Sequence, residues 1–309
     1  MIKTRITELL NIEYPVFQGS MARIAYAQLA SSVSEAGGLG IITGNGLDAE
    51  KLRQQIKLCR TLTDKPFGVN IVMQDISDTV ENFVNMLIEE NVKIVITSAG
   101  SPKKWLPVMK EHGMIVMCVV GNVIQAQKCE ALGADAIIAE GCESGGHIGE
   151  ITTMVLTPAV CDAVKIPVVT AGGIADGRGM AAAFMLGAEG VQCGTAFLLT
   201  EEATVSDEYK KRVLAAGIGD TVVTGRTVRD AVRCIKNPLT EEMIRLEIEG
   251  GHEADIIELG KGSLGRAVTD GDWENGSFMS GQCTGLIHEI STCRKVIEKM
   301  TADCEKLLK

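Results

Sequence analysis

Residues 166–177 read IPVVTAGGIADG, and residues 190–195 read GVQCGT. Each stretch contains a short, mainly apolar run that ends in glycines, and a helix-like segment lies between the two. Strands that are apolar at successive positions are typical of a parallel sheet covered on both faces. Strands that alternate with helices indicate βα units. The two stretches therefore predict consecutive βα units of an α/β fold.

The same alternation extends over most of the chain and yields eight predicted strands. They are 14–18, 39–43, 67–72, 94–99, 115–120, 136–140, 166–171 and 190–195. The predicted helices between them are 22–36, 49–61, 77–90, 102–112, 123–132, 156–164 and 177–186. Two Leu-Gly-Ala-acid repeats, 132–135 and 186–189, each end a helix just before a strand, where glycine can adopt a left-handed cap. Eight such units predict a closed (β/α)8 TIM barrel.

The alternation stops after residue 195. Residues 200–280 carry mixed helical signals, high charge and glycine clusters, without clear βα units. We therefore expect three parts. They are a barrel over 1–199, a smaller lid and substrate domain inserted after strand eight over 200–280, and a C-terminal helix over 281–309 that packs back on the barrel.

Composition excludes several classes of protein. Of the 309 residues 46% are hydrophobic and 23% charged, which is enough apolar material for a large core. The net charge of -10 disfavours binding to nucleic acid. The chain lacks a signal-peptide pattern, and its apolar runs are too short to span a membrane. Its ten cysteines are scattered and form no C-x-x-C pair, so we expect a cytoplasmic protein without disulfides.

Glycines and polar residues cluster at the C-terminal ends of the last two predicted barrel strands. Gly172 and Gly173 follow the seventh strand, while Gln192, Gly194 and Thr195 lie at the end of the eighth. Glycine lets a phosphate approach backbone N–H groups closely, and barrels commonly bind phosphate at this position. These residues predict a phosphate site, with ordinary glycine-rich turns as the alternative.

A histidine lies on the loop after the sixth predicted strand, where 140–149 reads EGCESGGHIG. Because glycines flank His147, core packing explains it poorly. An imidazole with an ordinary pKa of about 6.5 suits proton donation or polarisation of a carbonyl. His147 is therefore a candidate catalytic residue, and a structural role is the alternative. Cys142 could act as a thiol nucleophile, but proximity in sequence says little about geometry in space.

Two further motifs are less specific. Asn70 ends the third predicted strand, so its amide could hydrogen-bond a ligand at the barrel mouth or stabilise a local turn. Residues 260–265 match the G-x-G-x-x-G dinucleotide fingerprint, but no strand precedes them within a βαβ unit. We interpret 260–265 as turns of the lid.

With these motifs, the chain resembles the FMN-dependent enoyl-[acyl-carrier-protein] reductases of bacterial type II fatty-acid synthesis, which share a superfamily with nitronate monooxygenases. The similarity covers nearly the whole chain. The stretches that carry it are RITELLNIEYPVFQGSMA (5–22), KPFGVNI (65–71), GADAIIAEGCESGGHIG (133–149), IPVVTAGGIADGRG (166–179), GAEGVQCGT (187–195), AVRCIKNPLT (231–240) and GDWENGSFMSGQ (271–282).

The resemblance implies that FMN binds at the C-terminal mouth of the barrel. The residues implied for its phosphate are Gly172, Gly173, Gly194 and Thr195. Those implied around the flavin ring are Gln18, Gly19, Ser20, Met21 and Asn70. The remaining implied cofactor contacts are Glu140 beside the ribityl chain, Gln192, and Met279, Gly281 and Gln282 returning from the lid. His147 matches the catalytic histidine of the family.

The implied reaction is reduction of the trans-2 double bond of an enoyl thioester carried by acyl carrier protein. NADH or NADPH would supply the electrons through FMN, and the protein would act as a homodimer with a monovalent cation as a further cofactor to be tested. A nitronate monooxygenase is the alternative activity, and a flavin-binding sensor without turnover is the non-enzymatic alternative. Neither a nucleic acid nor a membrane is an expected partner.

Basic residues of the lid predict where the acidic carrier protein docks. They are Lys210, Lys211, Arg212, Arg226, Arg229, Arg233 and Lys236. Complementary charge steers association between proteins. The alternative is an ordinary solvated surface.

Overall fold

The computed structural model describes residues 2–74 and 77–309, with side chains omitted at 77 and 78. Eight parallel strands form one sheet: β1 (Val16–Gln18), β2 (Gly40–Thr43), β3 (Phe67–Val72), β4 (Ile94–Ser98), β5 (Ile115–Val120), β6 (Ala136–Glu140), β8 (Val168–Ala171) and β9 (Gly190–Cys193). The short strand β7 (Gly146–His147) lies outside this sheet. The order of the eight is β1-β9-β8-β6-β5-β4-β3-β2. A parallel bridge between Phe17 and Leu39 joins the two outer strands of that order. The predicted (β/α)8 barrel is confirmed.

Helices surround the sheet. They are α2 (Ala27–Glu35), α3 (Ala49–Leu62), α4 (Ser77–Glu89), α5 (Leu106–Glu111), α6 (Val123–Ala131), α7 (Thr153–Ala163), α8 (Gly177–Met185) and the short α9 (Thr195–Leu198). The apolar core has two layers, one inside the barrel and one between the sheet and the helices. Alternating residues of β4 contribute to each layer: Ile94 and Ile96 face the barrel interior, while Val95 packs under the helices.

A short helix closes the N-terminal end of the barrel. In α1 (Arg5–Leu10), Ile6 and Leu10 pack against the inward-facing strand residues. Arg5 donates to the carbonyl of Lys165, 2.7 Å away, and also pairs with Glu189; these partners precede β8 and β9. Access to the barrel is therefore from the C-terminal ends of its strands.

Two helices begin later than the sequence pattern predicts. The second helix begins at Ala27 instead of 22, because Ile24 and Ala25 turn back to donate to the carbonyl of Met21. The fifth begins at Leu106 instead of 102, because the carbonyl of Pro102 closes a separate turn before it. In both cases, residues whose composition suits a helix instead form a loop at the barrel mouth.

The lid segment, residues 200–280, contains a β-hairpin and several helices. Its elements are α10 (Asp207–Ala215), β10 (Thr221–Thr224), β11 (Val232–Ile235), α11 (Pro238–Glu249), α12 (Glu253–Gly260), α13 (Ser263–Gly265) and a π-helical turn (Arg266–Asp270). Strand β11 pairs with β10 and also with β7 (Gly146–His147), which lies on the loop after β6. This second sheet joins the lid to the barrel mouth.

The chain ends in α14 (Cys293–Leu307), which packs against α8 and α2. Residues between the lid and α14 include a 3-10 turn at Gln282–Leu286, so the final helix begins well after 281. The hydroxyl of Thr292 caps it by accepting from the amide of Lys295.

All ten cysteines are free thiols in this structure, and most of them are buried. Across 2–74 and 77–309, no helix combines the length and the apolar character needed to cross a membrane. Over the same ranges, no three His, Cys, Asp or Glu side chains come together as a metal site.

Candidate active site

A cavity of about 880 Å³ opens at the C-terminal ends of the barrel strands. Parallel strands bring their C-terminal ends to one face of a barrel, so residues that are distant in sequence meet there. The volume suits a cofactor together with a substrate. Nine of the predicted site residues line it: Ser20, Met21, Asn70, Glu140, His147, Gln192, Gly194, Thr195 and Met279.

Asn70 connects three segments of this mouth. Its side chain is 2% exposed, and its Oδ1 accepts from the hydroxyl of Ser20 at 3.0 Å. Its Nδ2 donates to the Oγ of Ser98, also at 3.0 Å, and to the carbonyl of Ile96. Because these partners follow β1 and lie on β4, Asn70 fixes the mouth across the sheet. Its role extends beyond a local turn.

Gln18 and Gly19 lie in the barrel wall and do not line the cavity. The buried Gln18 side chain accepts from the amide of Ile41 at 3.1 Å and donates to that residue's carbonyl at 3.3 Å. It also donates to the carbonyl of Gly19, whose own amide donates to the carbonyl of Cys193. Gln18 therefore joins β1 to β2 through its side chain.

Gly172, Gly173 and Gln282 line a second, smaller cavity of about 440 Å³. Both glycines have positive φ, at 97° and 75°, where other residues are strained. A Cβ on Gly172 would lie 2.7 Å from the carbonyl oxygen of Gly141, so only glycine fits there. Packing alone therefore requires glycine at position 172 in the turn after β8, whether or not a ligand binds there.

Two amides in the first turn of the helix after this turn are already engaged. Asp176 caps α8 by accepting from the amides of Arg178 and Gly179. An anion beside Gly172 and Gly173 would therefore compete with the Asp176 carboxylate for the positive end of α8. The amide of Gly281 donates to the Oγ1 of Thr195 at 3.0 Å, which ties the end of the lid to the turn after β9.

Glu140, at the end of β6, carries a carboxyl group within the main cavity. Burial raises its pKa to about 7, and the hydroxyl of Ser144 opposes that rise. A carboxyl group desolvated in this way gains from any hydroxyl donor that enters the cavity, because burial without a partner is costly. Glu140 is thus suited to bind a polyhydroxylated ligand.

His147 lies at the rim, on β7, with its side chain about half exposed. Its Nε2 is 3.0 Å from the Oδ1 of Asp230, a lid residue that the sequence pattern did not identify. Strand pairing places His147 opposite Val232 of β11. The candidate catalytic histidine is therefore held by the lid.

Two other cavity residues were also missed. Tyr209 lines the main cavity, is fully buried, and donates its hydroxyl to the carbonyl of Met279 at 2.9 Å. Ser98 lines the cavity beside Asn70. A tyrosine in a polar helix and a serine at a strand end are both common. The sequence around Tyr209 and Ser98 therefore carries no signal that they line a cavity.

Cys142 does not have the environment of a nucleophile. Burial raises the pKa of its thiol, and the nearby Glu143 carboxylate raises it further. Both effects disfavour the thiolate, which is the reactive form. The alternative of a thiol nucleophile finds no support in this geometry.

The basic residues of the lid do not form one free positive face. Arg233 is only 8% exposed and donates to the carbonyl of Cys142, so its expected place on a docking surface is wrong. Five others are engaged by acidic side chains or carbonyls: Lys210 at Thr200, Lys211 and Arg212 at Glu208, Arg226 at Glu150 and Lys236 at Gly219. Arg229 is exposed.

Comparison with known proteins gives consistent matches over the whole chain. The solved structure of FabK from Thermotoga maritima superposes with a TM-score of 0.96 at 46% identity, covering 100% of this chain and 98% of that one. A (3aS,4S,5R,7aS)-5-hydroxy-7a-methyl-1-oxo-octahydro-1H-indene-4-carboxyl-CoA dehydrogenase from Mycobacterium tuberculosis is 35% identical over 98% of this chain and 96% of its own length. A probable nitronate monooxygenase from Staphylococcus saprophyticus is 32% identical, covering 94% of each chain.

The sequence profile of the nitronate monooxygenase family matches residues 3–86 and 72–303, which together span nearly the whole barrel and lid. With the barrel, the cavity at its mouth and these relatives in agreement, the chain belongs to the nitronate monooxygenase family of FMN-type oxidoreductases.

Proposed function

We propose that this protein is an FMN-dependent enoyl-[acyl-carrier-protein] reductase that uses NADH or NADPH to reduce the trans-2 double bond of enoyl thioesters. The observation that carries the proposal is the similarity to FabK, an enoyl-acyl-carrier-protein reductase, at 46% identity over the full chain. The M. tuberculosis relative is also named for a CoA thioester. Two of the three relatives compared therefore point to thioester substrates.

The residues at the mouth fit FMN. The main cavity has space for it, Glu140 supplies a desolvated acceptor for ribityl hydroxyls, and Gly172 and Gly173 line the second cavity with backbone that carries no side chain. When bound, FMN supplies the two-electron redox chemistry. In this proposal the phosphate lies on Gly172, Gly173, Gly194 and Thr195. The remaining contacts come from Ser20, Met21, Asn70, Gln192, Met279, Gly281 and Gln282, while Gln18 and Gly19 support the site from the barrel wall behind them.

His147 is proposed to stabilise the substrate as it reacts. Negative charge develops on the thioester oxygen and the α-carbon when the double bond is reduced at the β-carbon. A hydrogen-bond donor aimed at that charge stabilises the transition state more than the ground state. His147 lines the cavity at its rim, and its imidazole ring is a hydrogen-bond donor of this kind. Asn70 and Ser20 keep the opposite side of the mouth rigid through their hydrogen bond.

A nitronate monooxygenase is the second candidate, favoured by the family profile and by the S. saprophyticus relative. Anaerobic stopped-flow mixing separates the two activities. The reductase should oxidise NADH or NADPH and then be reoxidised by crotonyl thioester, in assays run with and without K⁺. In a separate aerobic assay, the monooxygenase would consume oxygen with an alkyl nitronate and need no nicotinamide. Turnover of the nitronate alone would overturn the reductase proposal.

We expect FMN to stabilise the fold, because a ligand that binds only the native state adds RT ln(1 + [L]/Kd) to the free energy of unfolding. Free FMN at 100 times its Kd adds about 2.7 kcal/mol, which should raise the Tm of a 309-residue protein by about 4 °C. Riboflavin, which lacks the phosphate, is the matched control and should give a smaller rise. Equal shifts would argue against a phosphate site on the glycine turns.

We also propose a homodimer that forms through an apolar face beside the second cavity. Met154, Ile218 and Leu286 line that cavity with exposures of 65%, 67% and 42%. Exposed apolar side chains that cluster in this way mark interaction surfaces. Ile218→Asp should convert a dimer to a monomer in light scattering after size exclusion. Ile124→Asp, at an exposed residue that lines neither cavity, should leave the mass unchanged.

A further inference from the structure

The loop that carries His147 is fastened to the lid segment on both sides of that residue. Besides the pairing of β7 with β11, three residue pairs join 142–150 to 226–233 without involving His147. They are Arg233 Nη2 to the carbonyl of Cys142 at 3.0 Å, the amide of Ile148 to the carbonyl of Ala231 at 3.0 Å, and Arg226 Nη1 to Glu150 Oε1 at 2.7 Å. The lid therefore sets the backbone position of His147.

Asp230 occupies a constrained position in the same part of the lid. Its amide donates to the carbonyl of Gly225 at 2.9 Å, which closes the turn between β10 and β11. Gly225 has a φ of 80°, and a Cβ there would lie only 2.1 Å from the carbonyl oxygen of Asp230. The backbone of Asp230 is thus fixed by its own turn, independently of His147.

We propose that Asp230 is a positioning residue that holds His147 in one tautomer and orientation, an inference that rests on the proposed reductase function. The 3.0 Å contact assigns a proton to Nε2, which donates to the Asp230 carboxylate. Nδ1 then remains as the ring nitrogen that can accept or, in the protonated ring, donate a hydrogen bond to substrate. The hydrogen bond made by one ring nitrogen sets what the other can do.

Stabilisation of the fold does not explain the pair. The side chains of His147 and Asp230 are 54% and 60% exposed, and exposed ion pairs contribute little to stability. The lid surface carries a second pair of the same kind, His252 Nδ1 with Asp255 Oδ2, also at 3.0 Å. His252 and Asp255 line neither cavity. This second pair provides a matched control.

Asp230→Asn should slow reoxidation of the reduced enzyme by crotonyl thioester by about 10- to 100-fold, which is the usual loss when a group that orients a functional histidine is removed. Tm and FMN content should not change. Asp255→Asn should leave the rate unchanged. In a His147→Gln background, Asp230→Asn should cause no further loss, because residues that act as a unit are non-additive.

A readout without substrate completes the test. Long-range ¹H–¹⁵N correlation spectra of the histidine rings should show His147 protonated at Nε2, and Asp230→Asn should change that pattern while leaving His252 unaltered. An unchanged tautomer, or an additive loss of rate in the double variant, would overturn the role of Asp230. If the parent enzyme fails to reduce crotonyl thioester, the proposed function fails, and the ring spectra still decide whether Asp230 positions His147.

Discussion

His147→Ala should slow reoxidation by enoyl thioester by about 10²- to 10⁴-fold, the usual range for acid-base and electrostatic groups. The charge that this residue is proposed to stabilise develops on the substrate only in that half-reaction. FMN content should stay near stoichiometric, because the half-exposed ring lies at the rim of the cavity. Reduction by NADH or NADPH should slow less.

Single-turnover kinetics of each half-reaction measure this effect, in variants whose absorption spectra confirm bound flavin. His252→Ala is the control, since His252 is exposed on the lid beyond both cavities. Reoxidation of His147→Ala at the parent rate would remove His147 from the mechanism. The loop around it would then be explained by its pairing with β11 alone.

The barrel could be predicted because its strands have clear local signals. The bounds of β3, β5 and β6 agree with the predicted runs 67–72, 115–120 and 136–140. Each run is apolar and bordered by a residue that disfavours continuation, such as Pro66, Gly121 or Gly141. The predicted and observed bounds agree because both faces of each strand are buried, so that each strand reads as one continuous apolar run.

The β-hairpin of the lid could not be predicted in the same way. Strands β10 and β11 have four residues each, and most of β10 is only half-buried. The other edge of β11 pairs with β7, a two-residue strand on a distant loop. A pairing between segments that are remote in sequence leaves no periodic pattern in either of them.

The residues of the candidate site also fall into two groups, one that could be predicted from the sequence and one that could not. Glycines and polar residues at strand ends are recognisable because the barrel brings all eight ends together. Asp230 lies in a charged stretch of the lid, and only its contact with His147 in the folded protein identifies it as a candidate functional residue. For the same reason, the sequence could not separate Arg233, which is buried, from Arg229, which is exposed.

The burial of Arg233 leads to a second prediction of large effect. Its Nε and Nη2 donate to the carbonyl of Cys142 at 3.2 and 3.0 Å, and its Nη1 donates to the Oγ1 of Thr221 at 3.2 Å. Burial lowers its pKa from the ordinary value, a sign that water solvates the guanidinium poorly. Its hydrogen bonds to protein groups therefore replace that solvation.

Arg233→Glu should lower the free energy of unfolding by about 3 kcal/mol or more, because it leaves a buried carbonyl unpaired and places a carboxylate against it. Urea titration at saturating FMN measures the loss, with unchanged m-values showing that the folded state remains compact. Arg229→Glu makes the same charge change on the exposed surface and should alter stability by only about 0.5 kcal/mol. Equal losses in the two variants would indicate a general charge effect. A loss confined to Arg233→Glu, together with slower reoxidation, would show that the guanidinium fastens the His147 loop to the lid.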